Sequence, residues 1–146
     1  MSSPGPVPER PASKVRLRDH APRPGITVLE VIGEIDEAEA EAIRLRMVEL
    51  LRRTGPARAV LDLSGVGFLG SHGLTAVVRS SRAAVELGVL LSGVTGPDNR
   101  AVLRPVRMTG LDQVIRWFPD LDSALADGPG RPHLRDGPAS GSPPGR

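Results

Sequence analysis

At Gly70-Ser71-His72-Gly73-Leu74 a hydroxyl and an imidazole stand side by side, directly behind an apolar run that starts at Val60. Serine with histidine is a pairing of nucleophile and general base, so hydrolytic chemistry is the first to test. The nucleophile elbow of hydrolases sets its serine on a strand–turn–helix corner as Gly-x-Ser-x-Gly. Gly73 fits that pattern, but Leu69 occupies the position two before Ser71. Sequence neighbours also point in different directions, which makes His72 a poor base for Ser71. The other histidines, His20 and His133, fall in a loop and in a Pro/Gly-rich tail, so no triad assembles. A small serine hydrolase stays as an alternative; the residues themselves favour a non-enzyme. Three scattered histidines and no cysteine give neither metal-ligand spacing nor a disulfide. The glycine patterns that cradle phosphates are absent, and no cofactor is expected.

A serine between a buried strand and a helix can do something other than catalysis. A helix beginning directly after Ser71 leaves unpaired backbone N–H groups beside an exposed hydroxyl. Those donors and the helix dipole favour an anion at that spot. A phosphate on Ser71 is thus tolerated by the fold while it changes the surface strongly. The plainer alternative is that Ser71 is only an N-cap, a common use of serine.

The elements that position this corner follow from the periodicity. Val15 and Leu17 alternate with Arg16 and Arg18, as in a half-exposed strand. Pro24-Gly25 marks a turn, and residues 26–32 form a β-branched run suited to the next strand. Gly33-Glu-Ile-Asp36 ends it, and Asp36 caps a helix with Glu39 reaching back as a capping box. Over residues 37–53, Ala40, Ile43, Met47, Leu50 and Leu51 share one helical face. Arg52 and Arg53 suit its C-terminal dipole, and Gly55-Pro56 stops it. Residues 59–63 read as a short buried strand leading into a turn.

Leu74, Val77, Val78, Ser81, Ala84 and Val85 form the stripe of a second helix, closed by Gly88, with residues 89–94 a further strand. Asp98 is a good N-cap, but Pro105 predicts a kinked or broken helix before Gly110. Arg100, Arg104 and Arg107 fall there at i, i+4 and i+7, as a solvated face or a docking surface for an acidic partner. Residues 114–118 are the last strand and residues 120–126 a terminal helix. The order ββαβαβαβα predicts an α/β fold, a mixed sheet with packed helices. The domain spans residues 13–126. Residues 1–12 and 127–146 are Pro-, Gly- and Ser-rich and are expected to be disordered tails.

Composition narrows the partners. Phe68, Trp117 and Phe118 are the only aromatics, so the core is aliphatic. The sequence pI of 10.3 suggests nucleic acid, yet the net charge is only +2. One lysine and no tyrosine or cysteine leave almost nothing to titrate between histidine and arginine, which inflates the pI. So small a net charge attracts phosphate backbones weakly, and no nucleic-acid partner is expected. No apolar run approaches a membrane span and nothing resembles a signal peptide, which makes the expectation cytoplasmic with no membrane partner.

The strand, Asp62-Leu-Ser-Gly-Val66, Phe68, and then Ser71-x-Gly73-Leu74 opening a helix resemble the signature of bacterial anti-sigma factor antagonists, the STAS domain. Gly33-Glu-Ile-Asp36 resembles that family's Gly-Glu-Leu-Asp, and Thr109-Gly-Leu111 and Phe118-Pro-Asp-Leu-Asp-Ser-Ala-Leu125 match in kind and order. The resemblance covers roughly residues 15–126. It implies a STAS-like fold and a transcriptional regulator whose partner is an anti-sigma factor that doubles as a serine kinase. The unphosphorylated form binds that partner and frees a sigma factor; phosphorylation of Ser71 switches it off, and a cognate phosphatase restores it. Asp36, Gly70, Ser71, His72, Gly73 and Leu74 are then the partner-binding residues. Asp36 lies near Ser71, since both follow strand ends on one edge of the sheet. Two positions depart from the family, which usually has Asp-Ser-Ser or Asp-Ser-Thr where this chain has Gly70-Ser71-His72. The alternative within the fold is a STAS subunit of a transporter or sensor complex with a vestigial serine site.

Overall fold

The structure, a computed structural model, describes residues 15–127. Five strands, β1 (Val15–Arg23), β2 (Ile26–Ile35), β3 (Arg58–Leu69), β4 (Leu90–Val94) and β5 (Arg116–Phe118), form one sheet in the order β1-β2-β3-β4-β5. β1 and β2 are an antiparallel hairpin turning at Pro24-Gly25, where Gly25 takes φ 79°. Such a conformation strains any residue with a Cβ. β2, β3, β4 and β5 run parallel, each crossover carrying a helix: α1 (Glu37–Thr54), α2 (Ser71–Glu86) and α3 (Arg100–Thr109). A 3₁₀ turn, Leu111–Gln113, precedes β5, and α4 (Leu121–Ala126) ends the described chain. The α/β class and the order of elements are those the periodicity predicts.

Side chains alternate across a strand, so each strand serves two layers. Leu29, Val31, Leu61, Leu63 and Leu91 face one way and pack with α1, α2 and α3. Ile26, Val28, Val60 and Val94 face the other way and pack with Ala124 and Leu125 of α4. Two arginines hold α4 in place: Arg58, itself buried, donates to the Ala124 carbonyl at 2.8 Å, and Arg23 donates to the Leu125 carbonyl at 3.1 Å. Cations at the carbonyl end of a helix complement its dipole.

The expected α1 stripe of Ala40, Ile43, Met47, Leu50 and Leu51 is the buried one. The α2 stripe differs. Val85 is 75% exposed, whereas Gly73, Ala76 and Ser80 are buried with Val77, Ser81 and Ala84. α2 lies close to α1 and the sheet, and close approach selects small side chains over apolar ones. Asn99, not Asp98, is the α3 N-cap, and the helix runs unbroken through Pro105 to an αL Gly110. Pro105 is the sixth helical residue, so its missing N–H costs only the bond to the Ala101 carbonyl. β5 is shorter than residues 114–118, because Val114 and Ile115 both donate to the Leu111 carbonyl in the preceding turn. The expected tails lie outside the described residues, except Asp127, which pairs with Arg116 at 3.7 Å.

Gly93 of β4, paired with Trp117 of β5, leaves the space over which the indole ring lies. A Cβ there would stand 2.5 Å from the six-membered ring of Trp117, whose indole N–H donates to the Leu111 carbonyl at 3.2 Å. Gly93→Ala should therefore destabilise the domain by about 1–3 kcal/mol in urea unfolding. Emission of the single tryptophan should shift in the folded variant, since the indole has to leave its place. An unchanged midpoint and spectrum would mean the indole does not rest on Gly93.

Candidate functional site

β2 and β3 end at the same level, with Ile35 paired to Leu69. The next residues, Asp36 and Gly70, are the N-caps of α1 and α2, both in extended backbone. Two helices thus start side by side at the carboxyl end of two central parallel strands. The Asp36 carboxylate accepts the Glu39 N–H at 3.3 Å. Gly70 offers no side chain, so the first donors of α2 receive no such acceptor; the Gly70 carbonyl accepts the Leu74 N–H at 2.9 Å.

Ser71 is therefore the first residue inside α2, not its cap. The cap reading fails because the bend to extended backbone occurs one residue earlier, at Gly70. Ser71 is an exposed residue, and so are His72 and Asp36. Gly73 is buried: a Cβ there would collide with Leu69 Cδ1 and lie 3.5 Å from Ile35. It lets the first turn of α2 settle onto the ends of β2 and β3. Leu74 is half-buried against the core and anchors the same turn. Of the six expected contact residues, Asp36, Ser71 and His72 share the surface. Gly70, Gly73 and Leu74 shape it from beneath.

The stretch before Ser71, expected to be a turn, is strand up to Leu69, bent by two bulges. Glu30 pairs with Asp62 but Ile32 with Gly65, and Gly33 pairs with Val66 but Glu34 with Phe68, so β3 carries an extra residue twice. At the first bulge the Asp62 carboxylate accepts the Ser64 N–H at 3.0 Å and its hydroxyl at 2.7 Å. Opposite, the Asn99 amide donates to the Val66 carbonyl at 3.0 Å, with the Ser64 and Leu63 carbonyls at 3.3 and 3.4 Å. The Asp-Leu-Ser-Gly segment is thus a hydrogen-bonded bend that aims the end of β3. The sequence reading placed Asn99 inside the broken helix after Asp98; nothing in its neighbourhood signals a clamp to a strand more than thirty residues away.

Phe68 is the second residue the sequence reading missed as part of the site. It is 59% exposed beside Ser71, and its ring lies over Gly70. A Cβ at position 70 would stand 2.8 Å from Phe68 Cε2. The glycine that replaces an acidic residue is the seat of this ring. Among the described residues there is no group of His, Cys, Asp or Glu that could hold a metal ion. What the arrangement offers is an exposed serine at a helix start with an aromatic ring beside it, which suits binding and modification.

A family model for the STAS domain matches residues 19–124. Over 114 residues the chain is 35% identical to the anti-sigma-F factor antagonist RsfB of Mycobacterium tuberculosis, covering 76% of this chain and 85% of that protein. An anti-sigma factor antagonist from Mycobacterium paratuberculosis superposes with a TM-score of 0.68 at 31% identity, over 80% of this chain and 94% of that one. Bacillus SpoIIAA in its phosphorylated form shares the fold, with a TM-score of 0.58 at 14% identity over 75% of this chain and 96% of that one. The chain belongs to the STAS domain family, among the anti-sigma factor antagonists, which are regulatory binding proteins and not enzymes.

Proposed function

We propose that this chain binds an anti-sigma factor through the paired helix starts around Ser71, and that phosphate on Ser71 switches the binding off. The partner acts as the serine kinase; its capture by the unphosphorylated form frees a sigma factor, and a phosphatase resets the switch. The reading makes it a cytoplasmic regulator; no helix among the described residues is long and apolar enough to cross a membrane. The observation that carries the reading is the exposed Ser71 one residue inside a helix whose cap has no side chain. The relative SpoIIAA exists in a phosphorylated form.

Magnitudes decide the direction of the switch. A phosphate adds about −1.5 to −2 charges at neutral pH. At a helix start this favours the free domain by roughly 0.3–1 kcal/mol. In an interface fitted to a neutral hydroxyl, a badly paired charge costs about 2–5 kcal/mol. The second effect is larger, so the complex dissociates while the fold survives.

Calorimetry against an anti-sigma factor with serine-kinase activity tests this. Ser71→Ala should bind as wild type does and incorporate no phosphate. Ser71→Asp should bind roughly 30-fold or more weakly, at about 1.4 kcal/mol per decade, yet melt normally. Equal affinity for all three proteins, with no phosphate on wild type, would instead favour a vestigial serine in a transporter or sensor subunit.

The support beneath the serine gives a second test. Gly73→Val forces Leu69 and Ile35 aside and should weaken binding about tenfold or more, whereas the exposed Thr75→Ala should stay within about twofold. Wild-type binding by both would remove this turn from the contact surface.

A third test concerns the ring. Gly70→Asp restores the acidic residue usual in the family but displaces Phe68. Gly70→Asp and Phe68→Ala should each weaken binding, and the double variant should be no worse than the poorer single one, because both remove one contact. Full additivity of the two losses would show that ring and glycine act independently.

A further inference from the structure

Between α1 and α2 runs an open groove of about 410 Å³, lined by Arg44 and Arg52 from α1 and by Arg79, Arg82 and Glu86 from α2. One carboxylate lies at its head: Glu41 meets Arg44 at 2.6 Å and Arg79 at 3.7 Å. The hydrogen bond from Arg44, and then the charges of Arg44 and Arg79, hold the Glu41 carboxyl below its ordinary range against the opposing effect of desolvation. Arg52 and Arg82 have no carboxylate partner among the described residues, and both are exposed.

This groove is continuous with the site. Ser71, Thr75, Arg79, Arg82 and Glu86 fall at i, i+4, i+8, i+11 and i+15, all exposed on one face of α2. At 1.5 Å per residue, Arg79 and Arg82 lie about 12 and 16 Å along the axis from Ser71. An interface of ordinary size, about 800 Å² per partner, spans that distance. A partner that covers Ser71 and extends along α2 meets the arginines. At the other end, Asp36 and Glu37 are exposed at the start of α1, so the surface is acidic at the helix starts and basic along the groove.

We propose that the groove between α1 and α2 is the electrostatic docking surface for an acidic segment of the anti-sigma factor that covers Ser71. The proposal rests on the binding function above and names the chemistry of the partner. Charge complementarity selects the occupant. The chain beyond Asp127 carries Arg131, Arg135 and Arg146 against Asp136, the wrong sign for an arginine groove. The groove of a second copy has the same sign, so groove does not pair with groove. Glu41 and Glu86 interrupt the positive run, which suits a few placed carboxylates better than a continuous phosphate backbone.

Exposed charges at the rim of an interface act on association rates more than on dissociation. The test is binding kinetics of the full chain against the serine-kinase anti-sigma factors of the same genome, at about 50 and about 300 mM salt, where screening differs strongly. Wild type is compared with Arg52→Glu/Arg82→Glu and with Arg100→Glu/Arg104→Glu, which makes the same charge change on α3. The groove variant should associate tenfold or more slowly at low salt and dissociate within about threefold of wild type, the salt dependence being largely lost; the α3 variant should follow wild type. Arg52→Gln/Arg82→Gln repeats the comparison should the reversed pair melt early, and should slow association in the same sense. Unchanged association of the groove variants, or equal slowing by the α3 variant, overturns the groove and leaves the function intact. Wild type that binds no anti-sigma factor overturns the function and the groove with it. Binding of a short DNA duplex that the groove variant loses would also overturn it, in favour of nucleic acid.

Discussion

The pairing of Ile35 with Leu69 is the contact on which the functional surface depends. A one-residue slip between β2 and β3 would turn every side chain of one strand to the opposite layer. It would also move Asp36 past Gly70, so that α1 and α2 no longer began side by side. The register is fixed from both layers at once, by Leu29, Val31, Leu61 and Leu63 toward the helices and by Val28 and Val60 toward α4. Near the site, where β3 is longer than β2, side-chain hydrogen bonds take over from packing. Asp62, Ser64 and Asn99 hold the extra residues of β3 in one bent path, and Leu69 arrives opposite Ile35 because of that bend.

The parts of this arrangement that were legible in the sequence are those with a local signature. α1 has one strong face, an acidic cap and a glycine stop, and all three stand as read. Ser71 at a strand–helix corner, with Asp36 at a neighbouring strand end, was likewise visible. The parts that were not legible are set by contacts between distant segments. Ser80 and Val85 exchanged places in the buried stripe because the space between helices, not hydrophobicity, selects the residue. The bulges of β3 leave no periodic trace, since the extra residues are a serine and a glycine that also suit a turn. Asn99 is separated from its acceptor Val66 by thirty-three residues, and only the folded chain brings them together.

Gly70 shows how one substitution changes the character of a surface. A glycine at a helix cap is usually read as a conformational device, yet its backbone here is ordinary extended chain that any residue adopts. Its value is the space it leaves. Phe68 fills that space and stays largely exposed, which costs hydrophobic burial in the free domain. The chain keeps the phenylalanine of the family signature and lacks the acidic residue usual at position 70. The first turn of α2 beside Ser71 thus carries no acidic side chain.

The sheet also has a polarity that separates its two ends. Asp127 is tied to Arg116 at the first residue of β5, and α4 to Arg58 at the first residue of β3, whereas Ser71 stands two residues beyond the last residue of β3. A strand of twelve residues spans roughly 30–40 Å at 3.2–3.4 Å per residue. The described residues therefore stop at the end of the sheet remote from Ser71. A label placed at Asp127 itself would report on that end of the sheet and not on the corner at Ser71.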